Sequence, residues 1–222
     1  MNERTITVKG MGNVTAKPDL TIITMKLITE NPDYAETMER ATKDAESIRQ
    51  ALISIGYERE ALKTTDFKIR TETESYQEYR TKNWLERFKG YSCTHELKLK
   101  FDFDMKRLGE TINAISACGS KPKFQIAFSV KDKDAVSAEL LENAVNNAKD
   151  KAAVLAKAAD VQLGTIKRID YSWGELRLFS ETQFDYNSDY DSKMICCEAT
   201  PMEIEPEEFQ VTDSITVIWT IE

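Results

Sequence analysis

Few residues in this chain have the type and spacing to do chemistry. Oxygen-bearing side chains alternate at Asp185, Asn187, Asp189 and Asp191 in FDYNSDYDS. Oxygen ligands at every second position resemble the first half of a calcium loop, where such groups converge on a hard cation, so these four are the candidate metal ligands. The second half departs from that pattern, because Tyr190 stands where the sharp turn needs glycine and Cys196 where a closing bidentate glutamate belongs. A solvated acidic loop is the better account of the stretch. Cys93 and His95 form the other pair, since a histidine beside a thiol can lower the thiol pKa. With no third ligand or orienting carboxylate in view, a hydrogen-bonded core histidine is the simpler reading. His95 is also the sole histidine, so a nucleophile paired with an imidazole base would depend on it alone. The sequence contains no GxSxG elbow, phosphate-cradling glycine loop or dinucleotide fingerprint. Cys196 and Cys197 are adjacent rather than spaced as CxxC, and Glu198 beside them opposes a thiolate. No catalytic residue is assigned, no cofactor is expected, and the expectation is a protein without enzymatic activity.

A different kind of candidate lies between Glu74 and Lys89. Tyr76, Tyr79, Trp84 and Phe88 are interleaved with Arg80, Lys82, Arg87 and Lys89. Aromatic residues and arginine are enriched in protein interfaces, which makes this segment the candidate interaction surface. The competing reading is a hairpin whose aromatic side chains fold back on a sheet. Thirty Lys and Arg against 38 Asp and Glu leave a net charge of −8. That balance argues against a nucleic-acid surface, which needs clustered cations to release counterions. No apolar run approaches the roughly 20 residues needed to cross a bilayer as a helix. MNERTITVKG enters an alternating strand without the apolar core of a signal peptide. The expected location is therefore cytoplasmic if Met1 is the native start, and periplasm or cell surface if a signal peptide has been removed.

The elements that must carry these residues follow from periodicity. Thr5 to Lys9 and Asn13 to Lys17 are predicted as short strands joined by a turn at Gly10 to Gly12, neighbouring an antiparallel strand from Leu20 to Thr29. Asn31, Pro32 and Asp33 open a helix whose seam is Tyr34, Met38, Ala41, Ala45, Ile48, Leu52 and Ile55, stopped at Gly56. Strand character resumes from Leu62 to Thr73, and Glu74 to Lys89 is predicted as a long hairpin tip or loop. Tyr91, Cys93, His95, Leu97, Leu99, Phe101 and Phe103 then fall on one face of a strand. Asp104 caps a short helix with Leu108, Ile112, Ile115 and Cys118 buried, followed by a strand through Phe124, Ile126, Phe128 and Val130. A long alanine-rich helix begins with Asp134 as cap and ends at Gly164. Its predicted stripe is Val136, Leu140, Ala144, Ala148, Ala152, Leu155 and Ala159. Ile215, Val217, Trp219 and Ile221 end the chain in an apolar strand that must pair inside a sheet. Strand, helix and strand units of this kind assemble as an α+β fold: antiparallel sheet or sheets with helices packed on one face, two interlocked subdomains sharing strands, and one long Ala-rich helix.

Four stretches together, ITVKGMGNVTAKPDLTIITMKL, GYSCTHELKLKF, ISACGSKPKFQIAFSV and AELLENAVNNAKDKAAVLAKAADVQLGTIKRI, resemble the SIMPL-domain family. The resemblance runs over nearly the whole chain in the family's order, so residues 1–222 read as one SIMPL-type domain. It implies an α+β architecture and no established enzymatic site. The family includes bacterial proteins associated with oxidative-stress defence, cell-envelope immunogens, and an animal protein that binds a pelle-like kinase. Some members assemble into large ring-like or channel-like oligomers. The expectation is a non-enzymatic protein-interaction or self-assembly module with a stress-response role, acting as a homo-oligomer or with a protein partner. The alternative is a small-ligand or calcium-binding protein using the acidic loop 185–191.

Overall fold

The computed structural model of the chain describes residues 4–79, 82–171, 178–186 and 206–222. In chain order its elements are β1 (Thr5–Ala16), β2 (Leu20–Asn31), α1 (Tyr34–Ser54), β3 (Leu62–Gln77), β4 (Trp84–Asp102), α2 (Met105–Ala117), β5 (Lys123–Ser129), α3 (Lys133–Ala158), β6 (Leu163–Tyr171), β7 (Phe179–Tyr186) and β8 (Phe209–Ile221). They form an α+β fold with a three-stranded sheet, β1-β8-β6, and a five-stranded sheet, β3-β4-β2-β5-β7. The chain divides into two units, one made of Met1–Asp19, Ser129–Glu181 and Pro206–Glu222, the other of Leu20–Phe128 and Thr182–Glu205.

In the first unit β8 lies between β1 and β6 and pairs antiparallel with both. The apolar terminal strand is thereby covered on both edges, as its composition requires. β1 runs unbroken through Gly10 and Gly12, and its partner is β8 rather than β2. The predicted turn at these glycines is thus corrected. Their role is to let α3 approach: a Cβ on Gly10 would overlap the carbonyl oxygen of Ala144 and lie 2.7 Å from the Ala148 Cβ, while one on Gly12 would overlap the carbonyl oxygen of Leu140. Glycine inside a strand signals close backbone approach as readily as a turn, and here it does the former. Small residues meet it from the other side, since α3 buries Leu140, Ala144, Ala148, Ala152 and Ala156. Leu155 is 48% exposed and Ala159 is exposed, so the predicted stripe is corrected at its end. Strict four-residue steps hold the alanines over β1, whereas the predicted three-residue step to Leu155 turns off that line.

The polar flank of α3 completes the packing. The Asn147 Oδ1 accepts from the Met11 N–H at 3.0 Å, Asn143 Nδ2 donates to the Asn13 carbonyl at 3.1 Å, and Lys151 Nζ donates to the Lys9 carbonyl at 3.1 Å. Alternate residues of an edge strand point their backbone groups outward, and these side chains at four-residue spacing satisfy them. Asp132, rather than Asp134, caps the helix by accepting from the Ala135 N–H at 2.8 Å. The helix ends with Ala159 as its cap and not at Gly164, which lies in β6 against Thr220.

In the second unit β4 is paired antiparallel with β2 on one side and β3 on the other. Ile23, Met25 and Leu27 of β2, Leu97, Leu99 and Phe101 of β4, and Phe124, Ile126 and Phe128 of β5 form one core with Ala45, Ile48 and Leu52 of α1 and Leu108, Ile112 and Ile115 of α2. Alternation on the strands and three- or four-residue steps on the helices make those two apolar surfaces match. Asp33 caps α1 by accepting from the Glu36 N–H at 2.9 Å, and Asp104 caps α2 by accepting from the Arg107 N–H at 3.1 Å. No helix of the described residues is long and apolar enough to cross a membrane.

Candidate functional site

The predicted hairpin tip is mostly strand. β3 and β4 stay paired as far as Gln77 opposite Trp84, and the ladder carries a register shift where Glu72 opposes Gly90, Thr73 opposes Phe88 and Lys89 has no counterpart. Gly90 has φ +157, and a Cβ there would lie 2.7 Å from the Asn31 carbonyl oxygen. Only glycine suits that backbone, and the resulting bulge re-aims the side chains that precede it. Directly opposed residues share a face, so Trp84 and Phe88 stand with Gln77 and Thr73, while Tyr76 stands with Leu85 on the other face. Tyr79, at the turn, is 97% exposed.

The four predicted interaction residues are therefore divided between two faces and a tip. Phe88 meets Tyr91 edge to face at 5.2 Å, and Tyr91 meets Tyr34 of α1 at 5.4 Å. This aromatic run continues the α1 side of the sheet, and Trp84, 71% exposed, ends it. On the opposite face the Arg87 guanidinium lies 5.5 Å from the Tyr76 ring centre and is ion-paired with Glu74. Sequence reading missed Tyr34 and Leu85 as members of this surface. The signal for Leu85 is its alternation with Trp84, whereas Tyr34 joins only through the helix cap at Asp33. At the bulge a cleft of about 320 Å³ is lined by Glu30, Asn31, Glu72, Lys89, Gly90 and Tyr91, with Lys89 Nζ 3.5 Å from Glu30. Among the described residues its one cation, Lys89, is paired with a carboxylate, and no nucleophile with a base lines it.

Cys93 and His95 lie on the buried face of β4, as the alternation predicts. His95 Nε2 shares a 2.9 Å hydrogen bond with Thr64 Oγ1, and its ring meets Phe67 edge to face at 5.0 Å. Burial, with the charge of Arg49 as a second cause, pushes the imidazole below its ordinary value of 6.5. Burial also pushes the Cys93 thiol up. The pair thus consists of a neutral ring and a protonated thiol, the reverse of an activated couple. Among the described residues no cluster of His, Cys, Asp and Glu is arranged to hold a metal ion. Of the candidate calcium ligands, Asp185 belongs to β7, while Asn187, Asp189 and Asp191 lie outside the described residues, as do Cys196 and Cys197.

A stability prediction follows from His95. Its folded-state pKa lies below the unfolded value near 6.5, so the unfolded chain takes up a proton first as pH falls. The stability contributed by the neutral ring is complete above about 6.5 and declines as pH drops through the folded value. Glu46, held at about 2 chiefly by a hydrogen bond from Arg59 and then by Gln50 and Arg49, acts in a separate window between 4.5 and 2. Thermal unfolding measured from pH 7.5 to 5 is expected to show a falling midpoint that His95→Gln flattens. An equal slope in the variant would show that His95 is not the responsive group.

A family model, SIMPL, described as a protein of unknown function (DUF541), matches residues 6–219. A search of the curated proteins finds no match.

Proposed function

Because the chain belongs to the SIMPL family, whose description assigns no activity, we propose from the site itself that it is a non-enzymatic interaction module that associates with copies of itself through the β3–β4 arm. One observation carries the reading: Tyr76, Tyr79, Trp84, Leu85 and Phe88 are 40%, 97%, 71%, 39% and 54% exposed on one hairpin, four of them in its paired strands and Tyr79 at its turn. Large apolar side chains scattered singly over a surface need no explanation, but five on one hairpin do. Tyr and Trp supply large contact areas at small entropic loss, and arginine such as Arg87 beside them is the common companion in interface centres.

Light scattering over a wide concentration range tests the proposal. The mass is expected to rise above that of one chain, and the double substitution Trp84→Ser with Phe88→Ser to weaken association by roughly tenfold or more, since central aromatic contacts are worth about 2 kcal/mol or above. A mass of one chain at every concentration overturns it. Running the series with calcium adds a direct test of the acidic stretch: a calcium-dependent mass that the aromatic substitutions leave unchanged would favour the metal-binding alternative.

A further inference from the structure

We infer that the partner on this arm is a second copy of the same chain, joined edge to edge by antiparallel pairing of β3 with its symmetry mate about Thr71. The inference rests on the self-association reading above and adds its geometry. β3 is an edge of the five-stranded sheet, runs 16 residues, and has exposed or half-exposed side chains at every position after Leu62. The edge of β1 is different, because Asn143, Asn147 and Lys151 already bond its outward backbone groups. β6 is nine residues with two irregularities, and its Arg168 and Asp170 are bonded to each other. A long edge whose outward backbone groups have no partner among the described residues is a template for another strand.

The charges along β3 select the occupant and the register. Asp66, Lys68, Arg70, Glu72 and Glu74 alternate onto one face, away from Phe67, Ile69, Thr71 and Thr73 on the α1 side. Arg70 and Glu72 have no ion-pair partner among the described residues. If two copies pair antiparallel with Thr71 opposite Thr71, then Arg70 of each opposes Glu72 of the other and Lys68 opposes Glu74. Twofold symmetry repeats both contacts, giving opposite charges directly across the new junction. Centring on Arg70 instead places Arg70 against Arg70 and Asp66 against Glu74, and centring on Glu72 places Glu72 against itself. A register shifted by one residue sets the charged face of one copy beside the α1 face of the other. Of the registers centred from Ile69 to Thr73, the Thr71 one alone keeps the faces together with no like-charge pair. Centring on Phe67 also opposes Asp66 with Lys68, but there the strand is irregular between Thr64 and Asp66. In it the two sheets become continuous, and the aromatic runs of both copies lie on the same side.

Charge reversal and cross-linking test the register. Arg70→Glu and Glu72→Arg are each expected to weaken association about fivefold, and the double reversal R70E/E72R to restore it, because the pair is then re-formed with its signs exchanged. Thr71→Cys is expected to give a disulfide-linked dimer under mild oxidation, with peptide mass spectrometry mapping the bond between the two copies of position 71. Opposed residues in an antiparallel pair have Cα atoms roughly 4.5 to 5.5 Å apart, within disulfide reach. Thr73→Cys, which opposes Ile69 in this register, is expected to give no such link and serves with the wild-type chain as control. A protein that is a single chain at all concentrations overturns both this inference and the self-association reading. One that associates and loses association with Trp84→Ser and Phe88→Ser, yet is indifferent to the charge reversals and forms no Thr71→Cys link, overturns this inference alone.

Discussion

Gly12→Ala is expected to lower stability by about 3 kcal/mol or more, and Gly10→Ala by a similar amount, at the upper end of what overpacking does in a close-packed interior. The usual sign of a glycine to alanine change in a strand is the opposite, because alanine restricts the unfolded chain. Here the new methyl would meet the carbonyl oxygens of Leu140 and Ala144 in the backbone of α3, and a helix backbone cannot turn aside as a long side chain can. Relief would require lifting α3 from β1, which would lengthen the three hydrogen bonds from its polar flank at 3.0 to 3.1 Å. Gly109→Ala is the matched control. Gly109 is inside α2, and a Cβ added there would have nothing within 4 Å, so the same substitution should raise stability by about 0.5 to 1 kcal/mol through helix propensity. Denaturant titration of the three variants checks both signs. A Gly12→Ala protein as stable as wild type would mean that α3 does not depend on the glycines for its approach.

This contact also marks where the sequence stopped being legible. The alternation in β4, the helix opening at Asn31 to Asp33 and the middle of the α1 seam, Ala41, Ala45, Ile48 and Leu52, are local patterns and appear where the sequence puts them, whereas Tyr34 at the start of that seam is exposed. Gly10 and Gly12 are equally compatible with a turn and with a strand under a close helix. What decides is the alanine face of α3, more than 120 residues away, to which no local rule refers. The pairing of β1 with β8 joins the two ends of the chain and is invisible for the same reason. At the candidate site the aromatic residues and their alternation with cations were readable. Their division between two faces was not, because it depends on the unpaired Lys89 at the bulge beside Gly90. The self-opposing charges of β3 were present in the sequence throughout, yet they acquire meaning only once β3 is known to be an edge.

Phe128→Ala and Trp84→Ala are expected to differ in stability by several kcal/mol although both delete a large ring from a strand. Phe128 is fully buried and meets Phe103 edge to face at 5.7 Å. Removing it loses the transfer free energy of the ring and leaves a cavity in the core between the sheet and its helices, for about 3 to 5 kcal/mol. Trp84 is 71% exposed, so truncating it changes little water contact and should move stability by no more than about 0.5 kcal/mol. Urea unfolding at a protein concentration low enough to exclude association separates the two effects. The contrast bears on function as well as folding. A ring that stabilises the single chain belongs to the core, whereas one that leaves the single chain unchanged but weakens association belongs to an interface. If Trp84→Ala lost as much stability as Phe128→Ala, the ring would be folded against the sheet in solution, and the arm would lose the exposed surface from which its role as a docking site is drawn.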